Sequence, residues 1–309
     1  MTMKTLNLPA FLFLCMLTAT SCAQPGPGAK NQDIKNKFLD IAYADKSKAE
    51  KLDIYLPNEG KGPFPVIIFI HGGAFMFGDK ADDQVNPALE GVKRGYAVVS
   101  VNYRMSGEAV FPAAIQDVKA AIRFIRANAA KYHLDPKRIA SFGNSAGATM
   151  AAMIGTTGDI TDFDDPALGN PHQSSKVKAT VDLYGPIVFD QMDAQFKLSG
   201  KGQPNHGATD SPESKYIGKQ VSTAPDLVKR ASPATYISKN TPPFLIQAGK
   251  EDPIVPVQQS VNFHAELVKV LGKDKATLTL LDHTQHGGPQ FETPENLDRI
   301  FAFLDRYLK

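Results

Sequence analysis

Apolar positions along this chain fall into three patterns. Residues 66–70 (Val66-Ile67-Ile68-Phe69-Ile70) and 96–101 are continuous, partly β-branched apolar runs. Such runs suit central parallel strands buried on both faces. Pro65 is compatible with the first of them because it sits at the strand's start, where no ladder donor is lost. Residues 38–43 and 52–56 instead alternate apolar and polar side chains, which predicts two half-exposed edge strands. Between residues 111 and 132, Ile115, Val118, Ile122, Phe124 and Ile125 recur at helical spacing, predicting a long amphipathic helix. Further strands are expected at 138–142, 177–184, 243–248 and 277–281, and further helices at 86–95, 257–271 and 295–307. Alternating strands and helices predict a mostly parallel, doubly wound α/β sheet with helices on both faces. Residues 186–230 interrupt the alternation with many Gly, Pro, Ser and Asp residues. They are expected to form an insertion of loops and short helices over the rim of the sheet.

The first 23 residues follow none of these patterns. Lys4 precedes the apolar run 9–17, and small residues 18–23 follow. The run is too short for a stable bilayer span and reads as a signal peptide, so the protein is expected to be exported to the periplasm or beyond. Two cleavage readings compete. Ser21-Cys22-Ala23 suits cleavage before Gln24, whereas Ala19-Thr20-Ser21-Cys22 resembles an imperfect lipobox. In the second reading the signal is residues 1–21, and a lipidated Cys22 anchors the protein, for instance to an outer membrane. Residues 24–37 read as a linker, Gly- and Pro-rich at its start.

Composition removes some function classes. Thirty-four basic residues face 32 acidic ones, and no Lys/Arg-rich run is present, so nothing points to nucleic acid. Both cysteines, Cys15 and Cys22, lie in the leader, so the body has no disulfide and no Cys-based metal site.

The chemistry sits where strands end, which is where open α/β sheets bind ligands. Gly143-Asn144-Ser145-Ala146-Gly147 lies between a predicted strand and the apolar run 148–154. A strand–turn–helix around G-x-S-x-G is a nucleophile elbow, with the serine on a strained turn. A serine hydroxyl needs an adjacent base. Two histidines follow the last strand, His283 and His286. His286 is preferred because the glycines after it let a loop carry the imidazole over Ser145. His283 stays close to the strand and is expected to pack or to face water. A His-x-x-His metal pair lacks a third ligand. Asp252 follows the strand 243–248 and would orient the imidazole, with Glu251 as runner-up; the alternative role for Asp252 is to cap the next helix. An oxyanion needs preorganised N–H donors. The amides of Gly73 and Ala74, in His71-Gly72-Gly73-Ala74, and of Ala146 are the candidates. His71 is expected to anchor that loop. Arg104 and Asp117 are expected to form a buried structural ion pair. Phe75, Phe77 and Tyr184 follow strand ends and are candidate substrate contacts, with Phe189 and Phe291 as weaker ones.

Together, His71-Gly72-Gly73-Ala74-Phe75, Asn102-Tyr103-Arg104, the Ser145 pentapeptide, Asp252 before Ile254-Val255-Pro256, and His286-Gly287-Gly288 resemble α/β-hydrolase carboxylesterases. The nearest are esterases and lipases similar to hormone-sensitive lipase and to acetyl-xylan and feruloyl esterases. The resemblance covers residues 38–308 and implies an α/β-hydrolase catalytic domain over 38–309, a Ser145–Asp252–His286 triad and no metal or cofactor. It departs from the family pattern at Ala74, which stands where the third glycine of His-Gly-Gly-Gly belongs; its methyl is tolerable at negative φ. The implied substrate is a small-molecule or oligosaccharide ester carrying a small acyl group, with acetyl or feruloyl groups on carbohydrate as the leading case. An arylformamidase-like amide hydrolase and a non-catalytic hydrolase-fold binding protein are the alternatives. The sequence leaves the oligomeric state open.

Overall fold

The computed structural model describes residues 28–309. The predicted leader, its Cys22 and the first residues of the predicted linker lie outside the described residues. In chain order the strands and helices are β1 (Asn36–Ala42), β2 (Lys51–Leu56), β3 (Phe64–Ile70), α1 (Asn86–Lys93), β4 (Ala97–Val101), α2 (Ala113–Ala127), β5 (Leu134–Asn144), α3 (Ala146–Thr156), β6 (Ala179–Leu183), α4 (Met192–Ser199), α5 (Pro212–Ile217), α6 (Pro225–Ala231), β7 (Phe244–Gly249), α7 (Val257–Leu271), β8 (Ala276–Leu281) and α8 (Pro294–Leu308). They form one eight-stranded sheet ordered β1-β2-β4-β3-β5-β6-β7-β8. Only the β1–β2 and β2–β4 pairs are antiparallel.

The two-residue period of a strand divides the core. Val66, Ile68 and Ile70 of β3 face the layer that contains α2 and α3. Ile67 and Phe69 face the layer that contains α1 and α8. Covering both faces is what makes the central strands read as unbroken apolar runs. Because β3, β5, β6, β7 and β8 run parallel, their C-terminal ends open on one rim, where the elbow, the His71 loop, Asp252 and His286 all emerge.

Three expectations need correction. β2 is not a half-exposed edge: Leu52 to Leu56 are all buried. Its polar alternation misleads because the Asp53 carboxylate is paired inside, 3.0 Å from Lys80 Nζ, and accepts from the Asp40 backbone N–H at 2.7 Å. The second half of the linker is not a free tether. The Ala29 N–H donates to the Ala81 carbonyl at 2.9 Å, and Ala29 and Ile34 are buried. The long helix is shorter than predicted, starting after Pro112 and ending at Ala127.

Residues 192–231 hold three short helices and no strand. This segment bridges two sides of the rim. On one side Tyr216 stacks on Phe75 with ring centroids 4.0 Å apart. On the other, Lys201 Nζ donates to Glu251 Oε1 at 2.9 Å. Gln259 of α7 ties down its start by donating to Gln195 Oε1 at 2.7 Å, and holds the chain just before it by accepting from the Ile187 and Val188 N–H groups at 2.8 and 2.7 Å.

Candidate active site

The elbow is built by contacts that exclude side chains. A Cβ on Gly147 would lie 2.0 Å from the Ile70 carbonyl oxygen, and one on Gly143 would lie 2.1 Å from the Gly147 oxygen. Any other residue at 143 would drive β5 from α3, and any other residue at 147 would drive α3 from β3. Between them Ser145 holds φ 52°, ψ −125°, a conformation L-residues rarely adopt and one found at functional sites. Its N–H donates to the Leu183 carbonyl at 2.9 Å, which ties the turn to β6.

Three distant segments meet at Ser145. His286 Nε2 is 2.8 Å from Ser145 Oγ. His286 Nδ1 is 2.8 Å from Asp252 Oδ2. The other oxygen, Asp252 Oδ1, accepts from the Ile254 and Val255 N–H groups at 2.8 and 2.9 Å. Asp252 therefore both orders the turn leading to α7 and turns one oxygen to the imidazole. Asp252 is buried, while the His286 side chain is 14% exposed. His283 is exposed. Glu251 is exposed and bound to Lys201.

The His71 loop lies against the serine. The site a Gly72 Cβ would occupy is 3.1 Å from Ser145 Cβ and 2.9 Å from the Asn144 oxygen. His71 is fully buried; its Nδ1–H donates to the Gly72 carbonyl at 2.7 Å, and its ring stacks on Tyr103 at 4.7 Å. Burial pushes the His71 imidazole below its ordinary value, so it sits there neutral. The Tyr103 hydroxyl donates to the His71 carbonyl at 3.0 Å. The Gly72 N–H is taken by Gln84 Oε1 at 2.9 Å. Gln84 carries no motif in the sequence, and nothing but the fold brings it here. Among the described residues the Gly73, Ala74 and Ala146 amides have no protein acceptor. Ala146 is free because it opens α3, where the first N–H groups have no intrahelical partner.

Ala74 corrects the expectation of negative φ. Gly73, Ala74 and Phe75 have φ of 111°, 53° and 61°, a left-handed turn closed by the Met76 and Phe77 N–H groups on the Gly73 carbonyl at 2.9 and 3.0 Å. The turn also sends the Phe75 ring inward. Phe75 is 2% exposed and packs with Tyr216 and Phe189, so it is core and not a substrate contact. Phe77 is 61% exposed beside the same turn. Tyr184 is mostly buried. Its ring lies edge-on to His286 and to Phe291, each at 4.7 Å, and its hydroxyl accepts from Asn144 Nδ2 at 3.4 Å. Tyr184 thus braces the imidazole, and Phe291 braces Tyr184.

Arg104 and Asp117 form the expected pair, with Arg104 Nη2 2.6 Å from Asp117 Oδ1 and the Arg104 N–H donating to Oδ2 at 2.8 Å. They hold the loop after β4 on α2, clear of Ser145. Among the described residues no group of three or more His, Cys, Asp or Glu side chains is placed to hold a metal ion. A broad hollow of about 1020 Å³ lies between residues 30–34, α1 and the start of α8 and includes none of the three convergent side chains; the chemistry lies with them. A smaller cavity of about 150 Å³ is lined by Asn144, Tyr184 and Gly288 among others, and it too includes none of the three.

A serine on a strained elbow, a histidine and aspartate in line with it, and a doubly wound sheet define an α/β-hydrolase, and the chain belongs to the BD-FAE family, whose model matches residues 52–267. Esterase LipQ of Mycobacterium tuberculosis is 34% identical over 249 residues, 79% of this chain. This chain spans only 55% of the length of LipQ. A truncated carbohydrate esterase from gut microbiota superposes with a TM-score of 0.80 at 33% identity, over 91% of this chain and 99% of that one. A bifunctional GH43-CE protein from Bacteroides eggerthii gives 0.76 at 35% identity, covering 88% of this chain and 35% of that one.

Proposed function

We propose that this protein is a serine carboxylester hydrolase that removes small acyl groups, acetyl or feruloyl, from carbohydrate. The observation that carries the proposal is the continuous chain of hydrogen bonds from Asp252 through His286 to Ser145. In this reading Ser145 Oγ attacks the ester carbonyl while His286 Nε2 takes its proton. Asp252 keeps the remaining imidazole proton on Nδ1 and stabilises the imidazolium. The Gly73, Ala74 and Ala146 amides receive the developing oxyanion, each such donor contributing about 10²–10³-fold in rate. His286 then returns its proton to the departing alcohol, and water repeats the attack on the acyl-enzyme. The carbohydrate part of the reading draws support from the carbohydrate esterase likeness.

A fluorophosphonate probe should label wild type at Ser145, and Ser145→Ala should lower turnover by roughly 10⁴-fold or more. Hydrolysis of p-nitrophenyl acetate, methyl ferulate and acetylated xylan by the same preparation sorts the acyl classes. An unlabelled wild type that hydrolyses none of them would favour a binding module. Preference for an aryl formamide would favour the amide hydrolase. We also propose export. The mass of the mature N-terminus separates a lipidated Cys22 from a free Gln24, and an uncleaved Met1 in the mature protein would refute both.

A further inference from the structure

We propose that Gln84 is a positioning residue for the oxyanion hole: its side-chain amide aims the Gly73 N–H at the oxygen that takes up negative charge. The proposal rests on the ester-hydrolase reading and adds a side chain that the triad and its donors depend on.

The direction of the Gly73 N–H is fixed one peptide at a time. A trans peptide is planar, with its N–H and C=O pointing opposite ways, so bonds at both ends of a plane hold it still. In the His71–Gly72 peptide the His71 carbonyl accepts from the Tyr103 hydroxyl at 3.0 Å, and the Gly72 N–H donates to Gln84 Oε1 at 2.9 Å. In the next peptide the Gly72 carbonyl accepts from His71 Nδ1 at 2.7 Å. The Gly73 N–H at its other end therefore points away from His71, and among the described residues it has no protein acceptor. Glycine supplies no steric restraint of its own, so these hydrogen bonds are what hold Gly72. The hold matters because Gly72 lies against the nucleophile: the site of its missing Cβ is 3.1 Å from Ser145 Cβ and 3.0 Å from Gln84 Oε1. A turn of the His71–Gly72 plane carries the Gly73 N–H off any intermediate bonded to Ser145.

Gln84 is itself oriented. Its Nε2 donates to Asp82 Oδ2 at 3.0 Å, and its backbone N–H donates to Asp82 Oδ1 at 3.1 Å. Turning the amide over would set Oε1 against the carboxylate and the NH₂ against the Gly72 N–H, replacing two attractions by two repulsions. Asp82 Oδ2 also accepts from the Asp79 N–H at 3.0 Å, and Asp79 Oδ2 accepts from Asn102 Nδ2 at 2.7 Å. The relay thus runs from the end of β4 to the oxyanion loop. A glutamate at 84 could accept from Gly72, but it would place a second negative charge beside Asp82, where like charges disfavour ionisation, and nearer the oxyanion.

A ketone pair tests this directly. Ser145 Oγ adds to the carbonyl carbon of 2,2,2-trifluoroacetophenone, the hydroxyl proton passes to His286 Nε2, and the C=O π pair becomes an oxyanion on the amides. Acetophenone, which resists this addition, reports ground-state binding. Gln84→Met keeps the side-chain length and removes both polar atoms. Removing an oxyanion donor outright costs about 10²–10³-fold, so a loosened one should cost roughly tenfold in kcat for p-nitrophenyl acetate, with KM within about threefold of wild type. Inhibition by the trifluoroketone should weaken by the same factor as kcat, inhibition by acetophenone should not change, and the acid limb of the kcat/KM–pH profile should stay in place. A purely structural glutamine would lower the melting temperature without altering the ratio of the two inhibition constants; that result, or a rise in KM alone, overturns the proposal. Should Gln84→Met fail to fold, Gln84→Asn, one methylene too short to span Asp82 and Gly72, carries the same measurements: a weakened preference for the trifluoroketone supports the role, and an unchanged one refutes it. If wild type neither hydrolyses p-nitrophenyl acetate nor is inhibited by the trifluoroketone, the hydrolase reading itself falls and takes this role with it.

Discussion

Replacing Asp252 by Asn tests the proposed mechanism through one proton. Asp252 Oδ1 accepts two backbone N–H groups, from Ile254 and Val255. An asparagine must keep its carbonyl oxygen there, since turning its NH₂ toward two donors would leave all of them unpaired in a buried site. The NH₂ then faces His286 Nδ1 at the 2.8 Å position now held by Oδ2. An amide can only donate to Nδ1, so the imidazole must carry its proton on Nε2. That proton points at Ser145 Oγ, and Nε2 can no longer accept from it. The change is nearly isosteric, so folding should be preserved while the base is switched off. A wrong tautomer of this kind costs about 10⁴ in kcat, which is about 5.5 kcal/mol of barrier. The assay is steady-state hydrolysis of p-nitrophenyl acetate, with the melting temperature as a control for folding. ¹⁵N chemical shifts of His286 report which ring nitrogen is protonated. Activity within tenfold of wild type, with Nε2 protonated as argued, would refute His286 as general base. The same activity with Nδ1 still protonated would refute the argued orientation of the amide.

Other consequences can be measured separately. Asp182 is buried under α3 with one oxygen accepting the Gly185 N–H at 3.0 Å and the other unpaired; burial pushes its carboxyl from 3.8 up to about 7. The folded protein then binds the extra proton between about pH 4 and 7, so stability falls as pH rises through that window, by about 4 kcal/mol at most. Asp182→Asn should flatten that part of the pH–stability curve and raise the melting temperature at pH 8; an unchanged slope in urea titrations would contradict this. Arg104→Ala leaves the Asp117 carboxylate buried without its main partner and should cost about 3–5 kcal/mol in chemical denaturation, whereas a loss below about 1 kcal/mol would mean that the pair is not holding the loop. Ala74→Gly removes a left-handed alanine at φ 53° and should relieve about 1 kcal/mol of strain, visible as a higher urea midpoint. A lower midpoint would show that the methyl packs favourably.

Much of this protein can be read from local pattern. Buried parallel strands announce themselves as apolar runs, and a nucleophile elbow announces itself because only glycine fits where β5, α3 and β3 nearly touch. Gly147, with the Ile70 oxygen 2.0 Å from its missing Cβ, is legible for that reason. His286 and Asp252 could be picked by order along the chain, since each follows a strand that ends on the same rim.

Side-chain direction and pairing across the fold are another matter. Asp53 made β2 look half exposed because its partner Lys80 is 27 residues away in sequence, and a one-dimensional pattern cannot show a charge being neutralised. Phe75 looked like a pocket wall until three consecutive positive φ values turned its ring into the core. Gln84 gave no signal, because a glutamine that caps one amide has no periodicity and no motif. Local steric rules act over a few residues and are written in them. Whether a polar group is satisfied, or which way a ring points, depends on atoms brought from elsewhere in the chain, and that is settled only when the whole sheet and its helices close around them.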